Sequence, residues 1–71
     1  MTFGRTMVEM KKHIIESFKR KYGFAPTMKA IIPLESSGAG KYITWLAFYV
    51  NGIGYECHYQ GDVERNDVYD M

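Results

Sequence analysis

Apolar residues in the first third of the chain recur at the three- and four-residue spacing of an α-helix. When successive residues are placed about 100° apart, one sector of residues 6–22 is apolar. That sector contains Met7, Met10, Ile14, Ile15, Phe18 and Tyr22. Thr6 and Glu9 have the spacing of a capping box, in which each side chain accepts a hydrogen bond from a free amide. Gly23 then stands where helices often end in a left-handed residue. The pattern predicts an amphipathic helix over residues 6–22.

Three later segments have the pattern of β-strands. Residues 27–34 alternate with a period of two, and Pro33, which has no amide hydrogen, predicts that this strand lies at a sheet edge. Residues 41–51 and 53–60 are rich in β-branched and aromatic side chains. An Asn-Gly pair at their junction favours a two-residue type I′ turn. These two segments therefore predict a β-hairpin.

The two-residue turn fixes the hairpin register, and with it the side chains on each face. One face is the predicted core, with Leu46, Phe48, Val50, Ile53, Tyr55 and Cys57. The other face carries Ile43, Trp45, Tyr49, Glu56 and His58. Because one helix covers only one face of a sheet, we expect the second face to be covered by the tail or to contact another molecule.

These elements predict one α+β domain over residues 1–71. Its N-terminal amphipathic helix packs on one face of a three-stranded antiparallel sheet, and the order helix, strand, strand, strand predicts a meander with strand 41–51 in the centre. Residues 61–71 form an acidic tail, in which a short C-terminal helix could begin at Asp62.

The composition is rich in aromatic residues, and it also bears on where the protein is located in the cell. Aromatic residues make up 15% of the chain, and large rings suit either a thin core or a binding surface. Cys57 is the only cysteine, so no internal disulfide forms, and we expect a reducing, cytoplasmic location. No segment has the roughly 20 apolar residues of a membrane span, and the N-terminal residues do not resemble a signal peptide.

The net charge of +1 hides an uneven distribution. Residues 1–22 hold six basic and two acidic side chains, whereas residues 61–71 hold one basic and four acidic ones. The basic helix therefore offers Lys12, Lys19 and Arg20 as candidate contacts for nucleic acid or for an acidic partner.

Motifs for cofactor or metal chemistry are absent from the sequence. Cys57 and His58 are adjacent in a strand and point to opposite faces, so they form neither a metal site nor a nucleophile–base pair. Glu56 and His58 share a face, and a carboxylate beside an imidazole could cleave RNA by acid–base catalysis. The sequence places no cation beside them to stabilise the reacting phosphate. We therefore expect no enzyme activity, no cofactor and no metal.

The leading hypothesis is a small non-enzymatic binding module that acts by protein–protein contact. The contact residues would be Ile43, Trp45, Tyr49, Glu56 and His58, because interface centres favour Trp and Tyr. The partner could be a second copy, as a homodimer, or a strand from another chain added at the outer edge of strand 53–60.

Small one-domain proteins without catalytic motifs are common on phages and mobile elements. We therefore expect an inhibitor of the anti-CRISPR type, which occludes a host nucleic-acid enzyme. The acidic tail agrees with this role, because carboxylates occupy sites meant for phosphates. The second hypothesis is nucleic-acid binding through the basic helix and the aromatic sheet face. The third is a ribonuclease that uses Glu56 and His58.

Overall fold

A computed structural model of the protein describes residues 4–37, 41–59 and 68–71. These residues form helix α1 (Met7–Tyr22), a 3₁₀ turn (Met28–Ala30), and strands β1 (Ile32–Ser37), β2 (Trp45–Val50), β3 (Ile53–His58) and β4 (Val68–Asp70). The strands make one antiparallel sheet in the order β1-β2-β3-β4. The predicted α+β meander is thus confirmed in outline, but the sheet has four strands where the sequence predicted three.

Helix α1 begins and ends where the capping signals placed its ends. The Glu9 amide donates to the Thr6 hydroxyl at 3.3 Å, and the Thr6 amide donates to the Glu9 carboxylate at 3.4 Å. Gly23 closes the helix in the left-handed region, with φ of 80°. The buried residues are Met10, His13, Ile14, Ser17 and Phe18. His13 and Ser17 were not in the predicted apolar sector, so the buried stripe is rotated toward them and Ile15 is only half-buried.

The capping box makes a small contribution to stability that depends on pH. The pKa of Glu9 lies below its ordinary value of 4.5, first because the Thr6 hydroxyl donates to its carboxylate at 2.8 Å and then because the Thr6 amide does so. A carboxyl group whose pKa is lower in the folded state stabilises the fold above the unfolded pKa. That stabilisation is lost as the pH falls through the folded pKa.

Replacing this carboxylate should flatten the acid side of the stability profile slightly. Glu9→Gln keeps an oxygen acceptor for the Thr6 amide but does not titrate. We expect its melting temperature to fall less than that of the wild type between about pH 5 and pH 3. Thermal unfolding followed by circular dichroism measures this, with Glu16→Gln as the control carboxylate on the same helix. If the melting temperatures of Glu9→Gln and the wild type fall equally with pH, the capping box does not contribute to the pH dependence of stability.

The β2–β3 hairpin has the predicted register. Trp45 pairs with His58, Leu46 with Cys57, Ala47 with Glu56, Phe48 with Tyr55, Tyr49 with Gly54, and Val50 with Ile53. Asn51 and Gly52 form the turn with φ of 54° and 80°, the positive values that a type I′ turn requires at both central residues.

The core lies between α1 and one face of the sheet. It contains Met10, Ile14, Phe18, Ile31, Ile43, Leu46, Phe48, Val50, Tyr55, Cys57 and Val68. Phe18 is central, because its ring centre lies 4.7 Å from that of Tyr55, 5.0 Å from that of Tyr22 and 6.2 Å from that of Phe48. The Phe18 and Tyr55 rings meet edge to face, an arrangement that adds attraction to the effect of burial.

The predicted strand over residues 27–34 is wrong in its first half. The Thr27 hydroxyl accepts a hydrogen bond from the Ala30 amide at 3.3 Å and begins a 3₁₀ turn. This turn shifts the phase of the alternation, so that Ile31 is buried and Ile32 is exposed.

Strand β1 also extends further than predicted, because Glu35–Ser37, which follow the predicted strand 27–34, pair with β2. The expectation from Pro33 is confirmed, since β1 is the outermost strand on its side of the sheet. The pairing shifts between Pro33 and Glu35, where Leu34 is the extra residue of a bulge.

The predicted start of strand 41–51 is also wrong, and this changes the role of Ile43. Strand β2 begins only at Trp45, after a bend at Thr44. Ile43 instead forms an isolated bridge with Arg5, with N···O distances of 2.6 and 3.0 Å. Because the bend interrupts the alternation, the Ile43 side chain joins the core, at 9% exposure, instead of lying beside Trp45.

The last residues of the chain extend the sheet as β4. Tyr69 pairs with Glu56 and Val68 with Cys57. The predicted short helix therefore does not include residues 68–70, and its remainder, 62–67, lies outside the described residues. The described tail also lies beside β3 instead of folding across the second face.

Two contacts from the end of α1 hold β4 in place. The Lys21 ammonium donates to the Val68 carbonyl at 2.6 Å. The Tyr22 hydroxyl donates to the Asp70 carboxylate at 2.6 Å. Within the described ranges, no helix has both the length and the apolar character needed to cross a bilayer.

Candidate contact surface

The sheet face turned away from α1 carries most of the predicted contact residues. We call it the open face. The register places on it Ile32, Glu35, Ser37, Trp45, Ala47, Tyr49, Gly54, Glu56, His58 and Tyr69, with Met71 following β4. Of the predicted site residues, Trp45, Tyr49, Glu56 and His58 lie together here, whereas Ile43 belongs to the core.

One end of the open face is apolar. Ile32, Tyr49 and Met71 are 60%, 40% and 66% exposed, and Tyr69 on the adjacent row is 45% exposed. We call these four residues the apolar strip. A methyl group built on Gly54 would lie 3.5 Å from both the Tyr49 ring and the Met71 sulfur. The two side chains therefore close over the Gly54 backbone and join three strands in one surface, and an aromatic ring over a strand glycine is a stabilising arrangement in sheets.

The other end of the open face holds a carboxylate in a defined position. The Trp45 indole N–H donates to Oε2 of Glu56 at 3.1 Å. Nε2 of His58 lies 3.7 Å from Oε1 of the same carboxylate. The Glu56 and His58 side chains are 37% and 44% exposed, so both remain accessible. We call these three residues the Glu56 cluster, and its indole contact gives the half-buried Trp45 a structural role.

The Glu56 cluster brings together the acid–base pair that the sequence suggested. Cleavage of RNA is assisted by cations or other hydrogen-bond donors that stabilise the charge developing on the phosphate. Among the described residues, the ion pair of Glu56 is with His58, while Arg5 lies over the Tyr59 ring, Lys21 over the Tyr69 ring and Lys41 over the Tyr42 ring. In the same part of the chain, no group of three or more His, Cys, Asp or Glu could hold a metal ion.

The predicted basic contacts lie on the opposite side of the molecule. Lys12, Lys19 and Arg20 are exposed on the outer surface of α1. Glu9 and Glu16 are exposed on the same surface, three or four positions from these basic residues. This alternation of sign is typical of a solvated helix surface. It provides less attraction for a phosphate backbone than the sequence count of basic residues suggested.

Both edges of the sheet have features that oppose addition of a further strand. On β1, Pro33 lacks an amide hydrogen and a bulge follows it, and both features discourage pairing. On β4, the Val68 carbonyl is occupied by Lys21. The outer edge of β3, where we expected that another chain could add, is covered by β4 over Tyr55–Cys57. A strand from another chain therefore cannot pair with these residues of β3 while β4 is in place, and the open face is the stronger candidate for contact with a partner.

Several large or charged residues of the open face were missed from the sequence. Ile32 and Glu35 were missed because the 3₁₀ turn and the bulge change the phase of β1. Tyr69 and Met71 were missed because β4 is too short to give a periodic signal. Comparison of the chain with models of known families, with curated proteins and with solved structures found no match.

Proposed function

We propose that this protein is a non-enzymatic binding module that acts by protein–protein contact through the open face. The observation that carries the proposal is the apolar strip, in which four large apolar side chains adjoin on one side of a sheet. Single exposed apolar residues are normal on a protein surface, whereas an adjoining group of them is typical of interaction sites.

The composition of the open face supports a protein partner. Tyr and Trp are enriched at the centres of protein interfaces, because they bury much area at a low cost in conformational entropy. Tyr49, Tyr69 and Trp45 supply such rings, and Met71 adds a side chain that adapts to irregular surfaces. Glu56 and His58 would supply the polar contacts that fix the orientation of the partner.

We further propose that the partner is a nucleic-acid enzyme of a host cell, which the protein inhibits in the manner of small inhibitors from phages and mobile elements. Glu35 and Glu56 give the open face negative charge, and enzymes that act on nucleic acid carry basic surfaces for phosphates. A negative, partly aromatic surface suits occlusion of such a basic site.

The same charge disfavours a homodimer through two open faces. A two-fold axis through the face would bring each carboxylate near carboxylates of the second copy, and like charges at an interface are repulsive. Light scattering on the purified protein distinguishes the two cases: a monomer supports a different partner, and a dimer that Tyr49→Asp dissociates supports self-association.

Replacing Tyr49 by Asp tests the proposal, because it places a charge in the apolar strip at an exposed position. We expect capture of the partner from cells of the source organism to fall at least about tenfold, the size of a modest interface hot spot. The matched control is Val8→Asp, at an exposed apolar residue on α1, and it should capture as the wild type does. Equal capture by both variants, with both folded by circular dichroism, would contradict the proposal.

A further inference from the structure

The Glu56 carboxylate is oriented before any partner arrives. The Trp45 indole holds one oxygen at 3.1 Å, and His58 stands 3.7 Å from the other. A carboxylate offers about four acceptor positions on its two oxygens, so these neighbours do not exhaust it. Because the side chain is already restrained, an incoming donor meets a fixed acceptor and loses less entropy on binding.

Glu35 and Glu56 lie in the same cross-strand row, with Ala47 between them on β2. At the register positions of the open face that the structure describes, no Lys or Arg occurs. Lys21 reaches the Tyr69 ring at 5.0 Å, but its ammonium donates to the Val68 carbonyl. The described register positions of the face therefore supply no Lys or Arg partner for Glu56.

Aromatic rings flank the same carboxylate. Tyr69 is directly opposite Glu56 on β4, and side chains in that relation lie within reach of each other. Tyr49 is the diagonal neighbour on β2, and the Trp45 ring contacts the carboxylate itself. Tyr69 is 45% exposed, and Lys21 lies over its ring at 5.0 Å, so this ring already takes part in a cation–π contact.

We infer that the open face recognises an arginine of its protein partner, whose guanidinium pairs with Glu56 and lies against the Tyr69 ring. A guanidinium is planar, donates two parallel hydrogen bonds to a carboxylate and stacks on aromatic rings, whereas an ammonium is a compact and strongly hydrated charge. A fixed carboxylate between rings therefore selects arginine over lysine. This inference rests on the proposed function and adds the chemistry of the partner surface.

Trp45 provides a direct readout, because it is the only Trp of the chain and it contacts Glu56. Its fluorescence is titrated with oligo-arginine and oligo-lysine peptides of equal length, at neutral pH and moderate salt. We expect the arginine peptide to bind the wild type more tightly. Glu56→Gln should weaken that binding about tenfold, as for loss of a charged hydrogen-bond partner. Glu16→Gln, which removes one exposed carboxylate from α1, should change it little.

Two results would overturn the inference. Equal affinity for the two peptides would mean that only net charge is recognised. Equal affinities of Glu56→Gln and Glu16→Gln for the arginine peptide would mean that Glu56 is not the site. Tyr69→Leu provides a second variant that keeps an apolar side chain but removes the stacking ring. We expect its affinities for the arginine and lysine peptides to differ less than those of the wild type. An unchanged difference in a folded Tyr69→Leu would exclude stacking on that ring.

The same variants separate failure of this inference from failure of the proposed function. If Tyr49→Asp loses the cellular partner while Glu56→Gln retains it, the open face binds protein without an arginine at Glu56. If both variants retain the partner, the open face is not the binding surface and the proposed function fails as well.

Discussion

Phe18→Ala should leave the protein largely unfolded at room temperature. Phe18 is completely buried, and its ring contacts rings on α1, β2 and β3. Truncation of a buried Phe to Ala costs about 3–5 kcal/mol, and a core of this size supplies a net stability of about 3–5 kcal/mol. The loss therefore equals the whole stability. Urea titration followed by Trp45 fluorescence measures it, and the variant should show no folded baseline.

Val8→Ala is the matched control for this prediction. Val8 lies on the same helix but is 54% exposed, so its truncation should change the free energy of unfolding by less than about 0.5 kcal/mol. A cooperative transition of Phe18→Ala near the wild-type midpoint would contradict the position of Phe18 at the centre of the core.

Val68→Asp should be the second most damaging change, because it places a charge in the core at the point where β4 joins the sheet. Val68 is fully buried and pairs with Cys57. An unpaired charge there costs several kcal/mol, so we expect either global unfolding or detachment of β4. Amide hydrogen exchange distinguishes these outcomes. The Met71 amide donates to the Gly54 carbonyl at 3.0 Å, so it loses protection from exchange in both cases. The amides of the β2–β3 hairpin lose protection only if the whole protein unfolds.

Tyr69→Asp is the control, one residue further along the same strand. Tyr69 faces the open side and is 45% exposed, so an aspartate there reaches water, and we expect a loss of less than about 1 kcal/mol. Similar losses for the two variants would contradict the assignment of residues 68–70 as a strand with alternating faces.

The elements that could be predicted from the sequence are those defined by local chemistry. Thr6, Glu9 and Gly23 mark the ends of α1 because capping satisfies backbone groups within a few residues. The Asn-Gly turn sets the hairpin register because it leaves one pairing available. Trp45, Tyr49, Glu56 and His58 then share a face by alternation alone, which is why the centre of the open face was predicted correctly.

The elements that could not be predicted depend on contacts between distant parts of the chain. Strand β4 has three residues and is held by Lys21 and Tyr22, about 47 positions earlier in the sequence. Ile43 enters the core because a bridge to Arg5 and a bend at Thr44 interrupt the strand. The bridge and the bend leave no periodic signal in the sequence, so the alternation pattern predicted Ile43 on the wrong face.

The fourth strand also changes which surfaces of the sheet are accessible to a partner. A three-stranded sheet would leave the outer edge of β3 free, and addition of a strand would compete with contact through the face. With β4 in place and Pro33 at the other edge, the open face is a better candidate than either sheet edge for the proposed contact. β4 also enlarges that face, because it contributes Tyr69 beside Glu56 and positions Met71 over Gly54.

Site-specific photo-cross-linking from the open face tests directly whether the protein contacts a partner through that face. A photoreactive phenylalanine derivative replaces Tyr49 in one variant and Val8 in another, and both are irradiated in cells of the source organism. We expect a defined protein adduct from position 49 that position 8 does not give. No adduct from position 49, or the same set of adducts from both positions, would contradict the claim that the protein acts through its open sheet face.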